Sequence, residues 1–186
     1  MLTIDGSYGE GGGQILRTTI ALASLLNKPV RIVNIRKGRK VPGLKQQHLV
    51  GIEVAAKLCN ARVKGLRIGS TVVEYLPSKI EARDMKINIG TAGSITLLLQ
   101  TILPILIFSS KEVRLEIIGG TDVKWSPTIN YFKFVTLALL AKLGVEVDLR
   151  VVRHGFYPRG NGKVILTVKP CKRLKPFVCL ERGELE

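Results

Sequence analysis

Ala56-Lys57-Leu58 returns as Ala141-Lys142-Leu143, 85 residues further on. At the same distance Ile4 falls on Ile89, Ile32-Val33 on Ile117-Ile118, and Leu44 on Ile129. One offset from the first expected strand to the last expected helix reads as a tandem duplication, with the units packed side by side. Outward from these anchors, each unit reads β-α-β-α-β-β. The first has a strand at 2–5, a glycine turn at 6–13, a helix at 14–26, a strand at 30–35, a basic loop at 36–43, a helix at 44–58, and strands at 62–68 and 71–75. Ile15, Leu16, Ile20, Leu22, Leu25 and Leu26 hold helical spacing in the first helix, as do Leu49, Ile52, Val54, Ala55 and Leu58 in the second. The second unit has a strand at 86–89, a glycine turn at 90–93, a helix at 94–108 with a kink expected near Pro104, and a strand at 113–118. A loop at 119–127, a helix at 128–143 ended by Gly144, and strands at 145–152 and 163–168 complete it. The predicted class is α/β, an α+β sandwich of helices on mixed four-stranded sheets, with repeat units at 1–85 and 86–170. Residues 171–186 read as the opening of something further, with a strand expected at 177–180.

The chain has 186 residues, 46% of them hydrophobic, enough for a sizeable core. Lys and Arg number 29 against 14 acids, a net charge of +15 that points to a polyanionic partner. The stretches 31–48 and 150–175 are basic and hold no acid. Aromatics are only 5%, which favours phosphate contact over base stacking. Three cysteines without metal-type spacing and no secretory leader suggest a reducing cytoplasm. The apolar run at 95–108, interrupted by Gln100 and Pro104, is too short to span a bilayer, so no membrane partner is expected.

Gly9-Glu10-Gly11-Gly12-Gly13-Gln14 stands between a strand and a helix, where close backbone approach and free N–H groups suit phosphate. No Gly-Lys-Ser/Thr follows, so it is not a Walker A loop. Glu10, Gln14 and Arg17 are spaced to share one stripe, a combination suited to metal plus triphosphate. On spacing alone an ordinary polar helix face has equal standing. In the second unit apolar Ile102 stands where Arg17 would map, so the fold does not require the stripe. Arg36-Lys37-Gly38-Arg39-Lys40 is either a solvated charge run or a second phosphate clamp with Arg39 bidentate to an oxyanion. Gln46, Gln47 and His48 open the helix that follows, and a lone His there is more often structural. Gln100, in an apolar helix opened by Thr91-Ala92-Gly93-Ser94, needs a hydrogen-bond partner from protein or ligand. The loop Gly119-Gly120-Thr121-Asp122 with Trp125-Ser126-Pro127 could flank a nucleobase or serve as a packed turn. His154 to Gly162 forms a glycine-dense hairpin loop without a recognisable catalytic pair.

Taken together, Gly9 to Arg17, Ile35 to Arg39, Pro42-Gly43-Leu44 with Gln47-His48-Leu49, Gly119 to Asp122, and His154 to Gly160 resemble the RNA 3'-terminal phosphate cyclases over essentially the whole chain. Asn161 departs from the glycine of the family signature. The resemblance implies an ATP-dependent enzyme assisted by Mg2+ or Mn2+. A histidine takes AMP from ATP and passes it to an RNA 3'-phosphate end, and the 2'-OH then closes a 2',3'-cyclic phosphate. It implies Glu10 as the metal-facing carboxylate, Gln14, Arg17, Arg39 and Gln47 at the phosphate and RNA-end site, and Gln100 and Pro127 in the nucleotide pocket. The family has three such repeats and a small inserted domain, with the nucleophilic histidine in the last repeat. Neither His48 nor His154 matches that residue. The expectation is therefore an N-terminal part of such an enzyme, inactive alone, whose uncovered surface favours homo-oligomers. A non-catalytic, cyclase-like ribosome-assembly protein is the alternative, disfavoured by Glu10, Arg17 and Arg39. A carboxyvinyl-transferase relative is disfavoured by the charge and the motifs.

Overall fold

The computed structural model describes residues 1–180. Two four-stranded mixed sheets share one plan. The first orders β1 (Leu2–Asp5), β2 (Val30–Val33), β4 (Val73–Leu76) and β3 (Arg62–Lys64), in that sequence across the sheet. The second orders β5 (Met85–Asn88), β6 (Val113–Gly119), β8 (Gly162–Val168) and β7 (Val147–Arg153). In each, the first pair is parallel and the rest antiparallel. Helices α1 (Gly13–Leu26), α2 (Gln46–Leu58) and α3 (Ile95–Ile107) pack against one another beside the sheets. This is the α+β sandwich expected from the pattern.

Alternation explains which face each sheet buries. On β6, Val113, Leu115 and Ile117 are buried while Arg114 is exposed; on β8, Val164, Leu166 and Val168 are buried. A period of two puts these apolar residues on one side, toward α3. The outer side carries a Lys163–Glu116 pair at 2.9 Å. α3 is the most buried helix, with Leu98, Leu99, Ile102, Ile105 and Leu106 all in one continuous core with α1, α2 and both sheets. Pro104 lies inside α3 without ending it.

The constant offset of 85 does not survive in the strand register. Leu2 pairs with Val30, 28 residues on, whereas Met85 pairs with Leu115, 30 residues on. The connection through the helix is longer in the second unit, and loops absorb such insertions at little cost. Aligning the starts of α1 and α3, Gly12 on Ser94, puts Arg17 on Leu99 rather than on Ile102. Leu99 is fully buried, so the second unit still has no counterpart of that arginine.

Two further expectations change. The helix expected over 128–143 forms as α4 (Ile129–Tyr131), a π-helical turn at Phe132–Thr136, and α5 (Leu137–Lys142). A wider π turn re-phases the apolar stripe. Phe132 and Leu137 are buried, while Tyr131, Phe134 and Leu139 stay exposed. At 177–180 no strand forms; Val178 and Leu180 lie exposed. Just before it, the Lys175 N–H donates to Leu143 O at 2.8 Å. The end of the 171–186 segment lies outside the described residues. Among those described, the three cysteines form no disulfide, and no helix is long and apolar enough to cross a membrane.

One polar knot sits inside the core. Ser24 Oγ donates to Ile20 O at 2.8 Å, which leaves the Tyr75 hydroxyl to donate to Ser24 Oγ at 2.8 Å; Cys59 Sγ lies 2.9 Å from the same hydroxyl. Burial raises the Tyr75 pKa, so the group stays a neutral donor. Tyr75→Phe is expected to cost about 1 kcal/mol in denaturant unfolding, because Ser24 and Cys59 lose a buried partner. A midpoint unchanged from the parent chain would show that the hydroxyl contributes nothing.

Candidate functional site

In each sheet the parallel pair runs in one direction, so the loops that follow β1 and β2 emerge at one edge, as do those that follow β5 and β6. Ligands in such sheets collect at this edge, where helices begin. A cleft of about 1260 Å³ opens there. The loop after β1 contributes Tyr8, Glu10 and Gly11 to Gly13; the loop after β2 contributes Arg36 and Arg39. The turn after β5 contributes Thr91 to Gly93, the loop after β6 Val123 to Trp125, and the β7–β8 hairpin Tyr157.

Two helices start in the cleft. Gly12 precedes α1 in extended backbone and offers no side-chain cap, which leaves the first N–H groups for a ligand. At α2, Lys45 to His48 line the same space. Arg17 is half-buried on α1. Its guanidinium donates from NH2 to Gln14 Oε1 at 2.9 Å and from Nε to Gln100 Oε1 at 3.1 Å. Gln100, expected in the nucleotide pocket, does not line the cleft and finds its partner in protein, 83 residues away. Burial lowers the Arg17 pKa, but a guanidinium remains charged at neutral pH. Gln14 Nε2 donates to Thr18 Oγ1 at 2.9 Å, so both ends of its amide are held.

Glu10 precedes the helix and does not join the Gln14–Arg17 pair. Its Oε2 accepts from Arg39 NH2 at 3.3 Å, with both side chains exposed to solvent. Arg39 lies against the start of α1: a Cβ on Gly12 would meet its NH2 at 3.0 Å. Arg36 serves another purpose. Its NH1 donates to Val41 O at 2.9 Å and Gly43 O at 2.8 Å, folding the basic loop onto itself. Gln47 lines the cleft and accepts from Ser94 N–H at 3.1 Å, which ties the start of α2 to the start of α3. Pro127, expected in the nucleotide pocket, follows Val123 to Trp125 in the chain but does not line the cleft; its carbonyl accepts from Thr96 Oγ1 at 2.8 Å.

His48 had little standing from spacing alone, and the structure makes it a fixed part of the wall. The Lys45 N–H donates to its Nδ1 at 3.2 Å, so the ring proton of the neutral form sits on Nε2. A Cβ on Gly13 would meet that Nε2 at 2.5 Å and Arg17 NH1 at 2.9 Å. Gly13 is therefore the residue that lets α1 approach His48. Burial, and then the charges of Arg36, Arg17 and Lys45, push the His48 pKa down to about 4.

Comparison with known proteins bears on this arrangement. Residues 8–181 match the family described as RNA 3'-terminal phosphate cyclase. The chain belongs to the RNA 3'-terminal phosphate cyclase family. It is 54% identical over 186 residues to the RNA 3'-terminal phosphate cyclase of Hyperthermus butylicus, covering 100% of this chain and 52% of that protein. With the protein of the same name from Methanosarcina barkeri the identity is 53% over 184 residues, covering 99% and 55% of the two chains. With that of Pyrococcus abyssi it is 51% over 185 residues, covering 100% and 54%. The chain spans about half the length of these curated relatives. Its residues within the cyclase family region include every side chain of the cleft, since the lining runs from Tyr8 to Tyr157.

Proposed function

We propose that this chain carries the ATP-phosphate and RNA-end site of an RNA 3'-terminal phosphate cyclase. The observation that carries this reading is Arg17, hydrogen-bonded to both Gln14 and Gln100, in a cleft shared with Arg39 and the uncapped start of α1. A phosphate there meets two guanidinium groups and free backbone N–H groups in one place. Gln14 and Gln100 position Arg17. Gln47 holds the cleft wall while its amide NH2 remains to face a ligand, and Pro127 ends the loop that would flank the base. A magnesium or manganese ion carried on a triphosphate needs only one or two protein carboxylates, which fits Glu10 at the cleft mouth. Among the described residues no group of three metal-ligating side chains offers a fully protein-built site. Bound beside Glu10, such an ion would neutralise phosphate charge. Apolar surface left exposed, with Tyr131, Phe134 and Leu139 among its residues, would favour self-association.

The chain's two histidines do not supply the attacking imidazole in this reading. His48 is packed against Gly13, and His154 Nδ1 lies 3.2 Å from Asp122 Oδ2, outside the cleft lining. The test is binding of a short RNA that ends in 3'-phosphate against the same RNA ending in 3'-hydroxyl. The phosphorylated end is expected to bind more tightly, and Arg17→Ala to weaken it by about 10- to 100-fold and remove the preference. Equal binding of the two ends, or a preference that survives Arg17→Ala, would reject the site. With labelled ATP and magnesium the chain should form no covalent adenylate, and stable label on His48 or His154 would refute this assignment.

A further inference from the structure

Low aromatic content argued against base stacking, yet three of the few aromatic residues stand exposed around this one cleft. Tyr8 is 84% exposed, Trp125 88% and Tyr157 82%, and all three line it. Trp is highly buried on average and Tyr intermediate, so a nearly fully exposed Trp grouped with two exposed Tyr beside a cationic cleft calls for an occupant. We propose that Tyr8, Trp125 and Tyr157 form a stacking rim for the unpaired bases of a single-stranded RNA whose 3' end enters the cleft. This rests on the reading of the cleft as an RNA-end site, and it assigns the part of the RNA that lies upstream of the terminal phosphate.

The rim is built on braced backbone. Trp125 and Tyr157 come from separate loops, and Thr121, Asp122, His154 and Gly155 join these. The Thr121 N–H donates to Gly155 O at 2.8 Å, and the Gly155 N–H donates to Thr121 Oγ1 at 3.0 Å. Thr121 Oγ1 donates to Asp122 Oδ2 at 2.6 Å, and the same carboxylate oxygen meets His154 Nδ1 at 3.2 Å. Trp125 itself adopts a left-handed backbone with φ of 66°. That conformation is unfavourable for a bulky residue and persists only where the surroundings impose it. Ser126 Oγ donating to Val123 O at 2.8 Å closes the turn that does so. A ring held out at such a site is presented rather than loose.

Charge and size then select the partner. Arg17, Arg36, Arg39, Lys45 and Lys124 line the cleft, with Glu10 as its acid. The Lys124 Nζ sits 5.3 Å from the centroid of the Trp125 ring, so a base stacked there has a cation beside it for the adjoining phosphate. Cations that track a backbone, interleaved with rings that stack its bases, are how single strands are held without base reading. The cleft, at about 1260 Å³, exceeds the roughly 300–1,000 Å³ that encloses a single small molecule. It has room for more than one nucleotide.

Trp125 is the only tryptophan of the chain, so its fluorescence reports the rim directly. The 186-residue chain is titrated with a 5'-labelled, 3'-phosphorylated RNA tetramer, with the same tetramer made abasic at its middle positions, and with ATP alone. Anisotropy of the labelled RNAs is followed beside tryptophan emission. The base-bearing RNA is expected to quench Trp125, and the abasic one to bind about 10-fold more weakly or worse without quenching. Trp125→Ala and Tyr157→Ala should each weaken the base-bearing RNA by about 10-fold and leave the abasic RNA unchanged, while Trp125→Phe retains most of the affinity. If both RNAs bind equally and emission does not move, the rim is wrong and the phosphate site stands. Quenching by ATP alone to the same extent would make Trp125 a mononucleotide platform and overturn the RNA assignment. Absence of any RNA binding would overturn both readings.

Discussion

Acidification from pH 7 to pH 4 is expected to weaken the fold by about 3 kcal/mol through His48 alone. In the folded chain its pKa lies at about 4, against 6.5 for the free side chain. Burial is the first cause: only 7% of the residue is exposed, and the charged ring would leave water. Arg36, Arg17 and Lys45 add like charge, and protonation of Nδ1 would set a donor against the Lys45 N–H. The sign follows from proton counting. Above pH 6.5 both states hold His48 neutral and stability is full. As pH falls toward 4, the unfolded chain takes up a proton that the folded chain refuses, so stability drops. Each tenfold change in proton affinity is worth about 1.4 kcal/mol, which sets the total. Glu116 and Glu146 have pKa values lowered from 4.5 by Lys163 and Lys169, so their contribution begins to be lost as pH falls through about 4.5, below the window from 7 to 5. Urea unfolding between pH 7 and 5 isolates the histidine. His48→Gln should flatten the curve in that window, and an unchanged slope would show that His48 is not the group responsible.

The second large effect is expected at Gly43, on the way into α2. Its backbone is left-handed, with φ of 79°, and a Cβ there would be driven into the Gly69 carbonyl. Neither side can yield. The Gly43 N–H donates to Ile35 O at 2.8 Å, its carbonyl accepts from Arg36 NH1 at 2.8 Å, and the Gly69 N–H donates to Leu44 O at 2.9 Å. Gly43→Ala should therefore cost about 3 kcal/mol or more. It should also weaken phosphate binding, because the same bonds hold the loop that bears Arg39. Gly69→Ala is the matched control: φ is 78°, and nothing lies within 4 Å of the added carbon. It should cost only about 1–2 kcal/mol, the conformational part. Thermal unfolding of the two variants side by side decides the matter, and equal losses would mean that the close approach of the two loops is not there.

Much of the fold was legible because its signals are local. The glycine run at 9–13, the period-two strands and the apolar helix stripes each depend on neighbours a few residues apart. The β7–β8 strands and the end of α2 fall within a residue or two of where alternation put them. What periodicity could not show was the π turn at Phe132–Thr136 or the two-residue change of interval between paired strands. The π turn re-phases the stripe inside one helix, and the change of interval lies in the connection between paired strands, so neither follows from a local period. In the site, Glu10 and Arg39 form one pair and Arg17 and Gln14 another, whereas spacing had grouped Glu10 with the helix.

The residues that hold charge near α1, and the need of Gln100 for a partner, were fixed by the chain itself. An amide in an apolar helix has to be satisfied wherever it folds. Tertiary structure alone decided that the partner is Arg17, that Gln47 reaches Ser94, that His48 packs against Gly13 in the cleft wall, and that Tyr8, Trp125 and Tyr157 meet at one mouth. These residues lie tens of residues apart, and no local period connects them. They converge because α1 and α2 pack on α3, which brings the strand-end loops of both sheets to a single cleft.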